Sequence, residues 1–288
     1  KFLIAMNIFG KLFLPEEYTH LAHTPHYLNL TEQQQLAYNQ LFGLRINEQF
    51  IMFEEMLIVR LVPRLINHPT FKHDRKMTDA LEQLLQEEKI HTKIFADFNR
   101  QVKPKLYLQQ QFRFVRLTWL EHALLNVCTQ CPGLLPGLMW LMLALEELTT
   151  ALSEVIIQHK DVQQLDNQYI RLHKRHLQDE KRHVGVDNHI VQGIVETSPA
   201  WQQAYNAFFF RQVFSSIIRP QRSTLQVIHE LVHEFNEFEP VKQEMLESVR
   251  KLDPTIAFPG NLVTPDQLPV TFRLLDRYPA YKFNQAIL

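Results

Sequence analysis

The 288-residue chain sets 30 Lys and Arg against 31 Asp and Glu, a balance that offers no electrostatic footing for nucleic acid or an anionic membrane. Its 45% hydrophobic content is ample for a buried core, and seven glycines are too few for a strand-rich fold with many reversals, so long helices are expected. Cys128 and Cys131 cannot build a disulfide framework, and their lone CxxC lacks the second pair of a zinc ribbon.

Residues 1–30 have no firm period, contain Pro15 and Pro25, and read as an irregular or short-helical lead-in. The opening stretch is apolar but broken by Asn7, Gly10 and Lys11 and lacks a small-residue cleavage site, which argues against a signal peptide. Thr31 followed by Gln34 makes a capping-box start for a helix over 31–66, with a kink expected at Pro63. A turn over 67–70 leads to a second helix ending at Pro104, with Leu81, Leu84, Leu85, Glu88, Phe95 and Phe98 on or near one face. A third helix is expected over 105–127, then the turn signal CPGLLPG.

The longest apolar run, 133–145, is too short for a membrane span and continues into Glu146 and Glu147, as a buried bundle helix over 137–159 would. Further helices are expected over 166–197, 199–218 and 223–252. The proline-rich residues 254–288 read as an extended tail laid over the bundle. These elements describe an all-α protein with one domain over 1–288: a helical-bundle core over about 31–197, then C-terminal helices and an irregular tail over 198–288. The expected location is the cytoplasm, with no membrane or nucleic-acid partner.

One stretch of the 166–197 helix, RLHKRHLQDEKRHVGVD, carries the chemistry. His176, Glu180 and His183 fall at i, i+4 and i+7, and at about 3.6 residues per turn they share one face. A second ExxH pair, Glu88 and His91, lies on the helix ending at Pro104. Glu54 precedes Glu88 by 34 residues, and Glu146 precedes Glu180 by 34. Each half is therefore a carboxylate helix followed by an ExxH helix, the doubled pattern of a di-iron or di-manganese bundle. A buried carboxylate flanked by imidazoles is costly unless a metal neutralises it, and carboxylate-rich donors suit iron or manganese.

Both carboxylate helices offer adjacent acids, which point about 100° apart, so one of each pair faces the centre. Glu147 shares its side with Glu154 and Gln158, whereas Glu146 lies with Met139, Met142, Thr149 and Ser153 and is the better candidate. On the first helix the two arguments disagree. The apolar heptad Leu41, Leu44, Ile51, Ile58, Val62 includes Glu48 and Glu55, while the repeat spacing favours Glu54. Glu87 and Asp179 each precede an ExxH glutamate and are placed to accept the spare ring proton of a ligand histidine.

The segments INEQFIMFEEMLI, QEEKIH and LEELTTAL, and above all HLQDEKRH, resemble the ferritin-like di-iron oxygenases typified by p-aminobenzoate N-oxygenase. The extra histidine one turn before the second ExxH, here His176, is the specific mark. Over residues 28–189 the resemblance implies Glu54, Glu88, His91, Glu146, His176, Glu180 and His183 as ligands of two iron ions. It further implies O2 activation through a peroxo-di-iron state, oxidation of an amine or another small molecule, an electron donor, and homodimers as in many such folds. Ile46 and Thr150 replace polar residues of the p-aminobenzoate site, which weakens the case for that aryl acid. Thr150 is also a candidate to line an oxygen-side cavity, and Phe208, Phe209 and Phe210 an apolar pocket.

Two other readings compete. His229, Glu230 and His233 spell the HExxH of a zinc metalloprotease, with Glu244 or Glu247 as third ligand but no further motif to support it. The second is a ferritin-like bundle that binds iron without catalysis.

Overall fold

The computed structural model describes residues 10–218 and 222–286. Thr31 starts helix α1 (Glu32–Phe53) through the capping box read from the sequence: its hydroxyl accepts from the Gln34 N–H, and the Gln34 side chain accepts from the Thr31 N–H. Helix α1 runs into a π turn (Glu54–Ile58) and then α2 (Val59–Ile66), which contains Pro63. A π turn widens one turn of helix and so rotates the downstream residues about the axis relative to the upstream ones. Glu54, Leu57, Leu61 and Leu65 are buried along this stretch, while Glu55 stays half-exposed and accepts from Gln111.

Asp74 caps α3 (Arg75–Val102), which buries Met77, Leu81, Leu84, Glu88, His91 and Phe95 toward the bundle. The helix expected over 105–127 forms only in its second half, as α4 (Trp119–Gln130), which starts at a second capping box between Thr118 and Glu121. Residues 103–117 form a loop instead, and the cause is Glu48 on α1. Its buried carboxylate accepts the successive N–H groups of Arg113, Phe114 and Val115 at 2.7–2.8 Å and the Tyr107 hydroxyl at 2.7 Å. N–H groups drawn onto one carboxylate are not available to carbonyls one turn back, so no helix continues through them.

Helix α5 (Leu135–Gln158) carries the apolar run and buries every residue from 135 to 144. Asp166 caps α6 (Asn167–Thr197), and α5 and α6 pack along each other more closely than any other pair. The α1–α2 segment packs on α3, and α3 on α6, which closes a ferritin-like four-helix core. A buried polar chain ties three of these helices at one level. The Tyr169 hydroxyl donates to Asn47, Asn47 donates to Asn99, and Asn99 donates to the Leu44 carbonyl. Among the described residues there is no strand, only an isolated parallel bridge between Leu12 and Leu165. No single described helix is long and apolar enough to cross a membrane.

The C-terminal part departs from expectation twice. The helix predicted over 223–252 is divided into α8 (Arg222–Glu234) and α9 (Lys242–Arg250) by a 3-10 segment, Asn236–Val241. Pro240 in that segment lacks an N–H and restrains the residue before it, which ends regular α-helix there. The tail is not extended throughout, because it forms α10 (Pro269–Arg277) after α7 (Ala200–Ile217), α8 and α9. Pro269 suits a helix start, and the carboxylate of Glu147 on α5 accepts the N–H groups of Val270 and Thr271 at 2.8 and 2.6 Å. Nearer the start of the tail, buried His20 hydrogen-bonds the Phe258 carbonyl.

Replacing Glu48 by Ala strips the partner from three main-chain N–H groups. The expected loss is about 3 kcal/mol or more of unfolding free energy in urea titrations, against less than about 1 kcal/mol for Glu55→Ala.

Candidate metal centre

The ExxH spacing puts Glu88 and His91 on the inward face of α3, and α6 presents His176, Glu180 and His183 opposite them. Glu54 enters from the π turn and Glu146 from α5. All these side chains are almost completely buried, none more than 2% exposed. The centre converges on Glu180: its Oε1 lies 3.0 Å from His176 Nε2, 3.3 Å from His91 Nδ1 and 3.5 Å from His183 Nδ1. Glu88 stands 2.7 Å from His183 Nδ1 and 3.9 Å from His91 Nδ1, and Glu54 is 3.5 Å from His176 Nε2.

Two groups of donor atoms gather within 4.8 Å: Glu88, His91, Glu180 and His183 in one, and Glu54, His91 and His176 in the other. Glu146 falls outside both, yet one of its oxygens is buried without a hydrogen-bond partner, and Glu180 and Glu88 are close enough for their charge to raise its carboxyl. Inward atoms elsewhere in the cluster are also orphaned, including Nδ1 of His91 and His183 and both oxygens of Glu180. Buried polar atoms left unpaired and aimed at one another are costly for a fold that uses them for nothing. The set of carboxylates and imidazoles fits a pair of hard-to-borderline transition metal ions.

The outward ring atoms are held crosswise. His91 on α3 donates through Nε2 to Asp179 on α6 at 3.2 Å, and His183 on α6 donates to Glu87 on α3 at 3.0 Å. Arg182 bridges both acids. Each acid therefore precedes the glutamate of its own ExxH and orients the histidine of the other. With the outer proton of each ring so held, Nδ1 is the nitrogen that gives up its proton when a metal takes the place of the inner carboxylate contacts. His176 is instead wedged by Phe50 and Phe95, with ring centroids at 5.3 and 5.1 Å.

Burial presses the His91 and His183 rings toward neutrality, but the Glu180 and Glu88 carboxylates beside them outweigh it and push both up to about 11. His176 is raised to about 9 against the same burial, by Glu180 and Glu54. Burial raises Glu54 to about 7 and Glu146 well above the usual carboxylate range, the latter helped by repulsion from Glu180 and Glu88. Glu180 would be raised by burial as well, yet the surrounding imidazoles hold it far below that range. Without a metal, protons on the histidines supply the positive charge.

Two participants escaped the sequence reading. Thr92, next to His91, donates its hydroxyl to Glu54 Oε2 at 2.8 Å. Asp187 lies buried one turn beyond His183 with neither oxygen partnered, raised strongly by burial. Its place at i+11 from His176 continues the same helical face, so the spacing contained the signal. Glu147, read as lying on a polar side, is buried because it caps α10.

Other candidates are placed elsewhere. In the HELVH segment Glu230 is paired with Arg113 at 2.6 Å, and the His233 side chain is 82% exposed. Among the described residues, that trio is not one of the clusters of converging metal donors. Phe210 stacks on Phe214 in the core, and Phe208 is exposed.

Beside the centre, a cavity of about 100 Å³ lies between α1 and α5. Phe53 and Leu145, the residues before Glu54 and Glu146, line it with Leu148, Thr149 and Phe50, whose ring also packs on His176. Thr149 lines this cavity, and its hydroxyl donates to the Glu146 carbonyl; Thr150 is not among the described lining residues, and its hydroxyl oxygen is buried without a hydrogen-bond partner.

Two outcomes are expected. Metal titration near pH 7 in weak buffer releases on the order of four protons per loaded centre, since His91, His176 and His183 must each lose an inner proton to ligate and Glu146 must lose its own. Glu87→Ala and Asp179→Ala each weaken metal affinity roughly 10–100-fold in competition with a chromophoric chelator, because a ligand ring loses its outer partner.

No curated protein matches the chain. The profile of the family described as P-aminobenzoate N-oxygenase AurF matches residues 8–252, which span the four core helices, both ExxH pairs and the HxxxExxH signature. That match covers most of the chain, and the buried glutamate–histidine cluster lies wholly within it: the protein belongs to the p-aminobenzoate N-oxygenase AurF family.

Proposed function

We propose that the protein is an O2-dependent di-iron oxygenase that oxidises a small organic molecule, an amine in the first instance, at the Glu180-centred cluster. The observation that carries this reading is the set of buried, unpartnered carboxylate and imidazole atoms converging between α3 and α6 in a chain of this family. Glu54, Glu88, His91, Glu146, His176, Glu180 and His183 would hold the two ions, with manganese as the alternative to iron. Bound iron supplies the oxygen and electron-transfer chemistry that side chains lack.

The chain's own residues supply position and exclusion. Glu87 and Asp179 keep the outer ring protons of His183 and His91, which would leave the inner nitrogens to ligate the ions. Thr92 holds one oxygen of Glu54 and so limits how that carboxylate turns. Phe50 and Phe95 pack His176 and keep water from its ring. The cavity beside Glu54 and Glu146 is the place where a small substrate can approach the centre without bulk water. On this reading an electron donor outside the chain would supply the reducing equivalents.

Anaerobic loading with iron(II) is expected to give about two ions per chain. Exposure to O2 should then produce an absorption change, and mass spectrometry should detect oxygen transfer to members of an arylamine and alkylamine panel. Glu180→Ala is expected to lose both the metal and the absorption change, and His229→Ala neither. Slow oxidation of bound iron that no substrate accelerates would instead identify an iron-binding protein.

A further inference from the structure

Asp187 is the one buried acid among the described residues with neither a partner nor a place in the ligand set. Glu48, Glu147 and Asp166 accept main-chain N–H groups, Glu230 pairs with Arg113, and the remaining four are the candidate ligands. Asp187 is only 1% exposed, and both of its oxygens lack a hydrogen-bond partner. A carboxyl that caps nothing and pairs with nothing is a cost that an apolar side chain of similar size would avoid.

Its position points to the centre. His183 and Asp187 repeat along α6 the i, i+4 spacing of His176 and Glu180, a spacing that brings the latter pair to 3.0 Å and at which two side chains can serve one ion. Burial raises the Asp187 carboxyl well above the usual range; His183 on the same helix pulls it down, while Glu88 on α3, Glu180 on α6 and Glu147 on α5 push it up. Asp187 in turn adds to the repulsion that raises Glu146, which has an orphaned oxygen of its own. Like Glu146, it lies outside the two groups of converging donor atoms, and it reaches an ion only when its side chain turns toward it.

We propose that Asp187 is a further carboxylate of the metal centre, which joins the ion beside His183 once both ions are trivalent. The inference rests on reading the cluster as a two-iron centre, and formal charge decides when the extra carboxylate is wanted. Four ligand glutamates offset two divalent ions, so a fifth anion beside them is surplus in an interior that screens charge poorly. Once O2 has taken one electron from each iron(II) and left as hydrogen peroxide with two protons from solvent, the ions carry two further positive charges. Asp187 offsets one of these by releasing its proton to solvent.

The test uses the full-length chain as wild type, as Asp187→Asn, which keeps the size and removes the charge, and as Asp187→Leu. Iron(II) affinity is measured anaerobically by competition with a chromophoric chelator, and iron(III) retention as the rate of loss to a chelator after exposure to O2. Both variants are expected to lose iron(III) at least about tenfold faster than wild type, while iron(II) affinity changes by less than about threefold. Infrared difference spectra of wild type are expected to lose a carboxylic acid C=O band on oxidation, a change absent from Asp187→Asn. Circular dichroism checks folding, and Asp187→Leu is the variant expected to fold at least as stably as wild type.

Iron(III) retention equal to wild type in the folded variants overturns the proposal. So does an iron(II) affinity that falls as far as iron(III) retention, or an acid band that persists through oxidation. If iron(III) retention depends on Asp187 but wild type oxygenates no substrate, the oxygenase reading fails and the role of Asp187 stands. Substrate oxygenation by wild type together with unchanged iron(III) retention in both variants does the reverse, and a wild-type chain that takes up no iron overturns both.

Discussion

A single carboxylate oxygen, Oε1 of Glu180, lies within 3.5 Å of ring nitrogens from three histidines, in a bundle interior from which water is excluded. Charges buried this deeply are tolerated only when opposite charge sits among them. In the metal-free protein, protonated imidazoles meet that demand, and metal ions can replace those protons. The requirement constrains the helices as well as the ligands. Residues from the π turn, α3, α5 and α6 must reach one level of the bundle with the correct phase, and the buried Asn47–Asn99–Tyr169 chain locks three of those segments in register nearby.

Carboxylates outside the cluster serve the same geometry by bonding main-chain N–H groups. Glu48 gathers the 113–115 backbone onto α1, and Glu147 starts α10 from α5. Glu87 and Asp179 hold the ligand rings from outside and are tied together through Arg182. The acids adjacent to the candidate ligands are thus occupied with positioning rather than competing for the centre. The tail that Glu147 anchors also supplies Phe258 and Pro259 to the cavity, so the support of the scaffold and the shape of the pocket are linked.

Helical features set by local spacing were legible in the sequence. The face shared by His176, Glu180 and His183, the upstream ExxH pair and the Thr31 capping box all depend on contacts within one or two turns. Periodicity alone missed Glu54, because a regular period carried along α1 points to Glu55, and it was the 34-residue repeat and the resemblance that favoured Glu54. The π turn that begins at Glu54 breaks that period. The loop at 103–117 was hidden for a different reason: its residues are compatible with helix, and the acid that draws their N–H groups away is 65–67 residues distant. Glu147 looked solvated for the same reason, since the N–H groups it accepts lie more than 120 residues downstream.

By itself, then, the sequence determined the all-α class, the bundle helices and the family resemblance, since these come from periodicity and from motifs confined to single helices. Only the tertiary structure decided how the acids pair crosswise with the histidines, and that the HELVH acid is held by Arg113. It alone joined the C-terminal segment to the cavity wall. The reason is physical: helix periodicity is a local property of the backbone, whereas the partner of a buried charge is chosen by whichever distant group the fold brings within hydrogen-bonding reach.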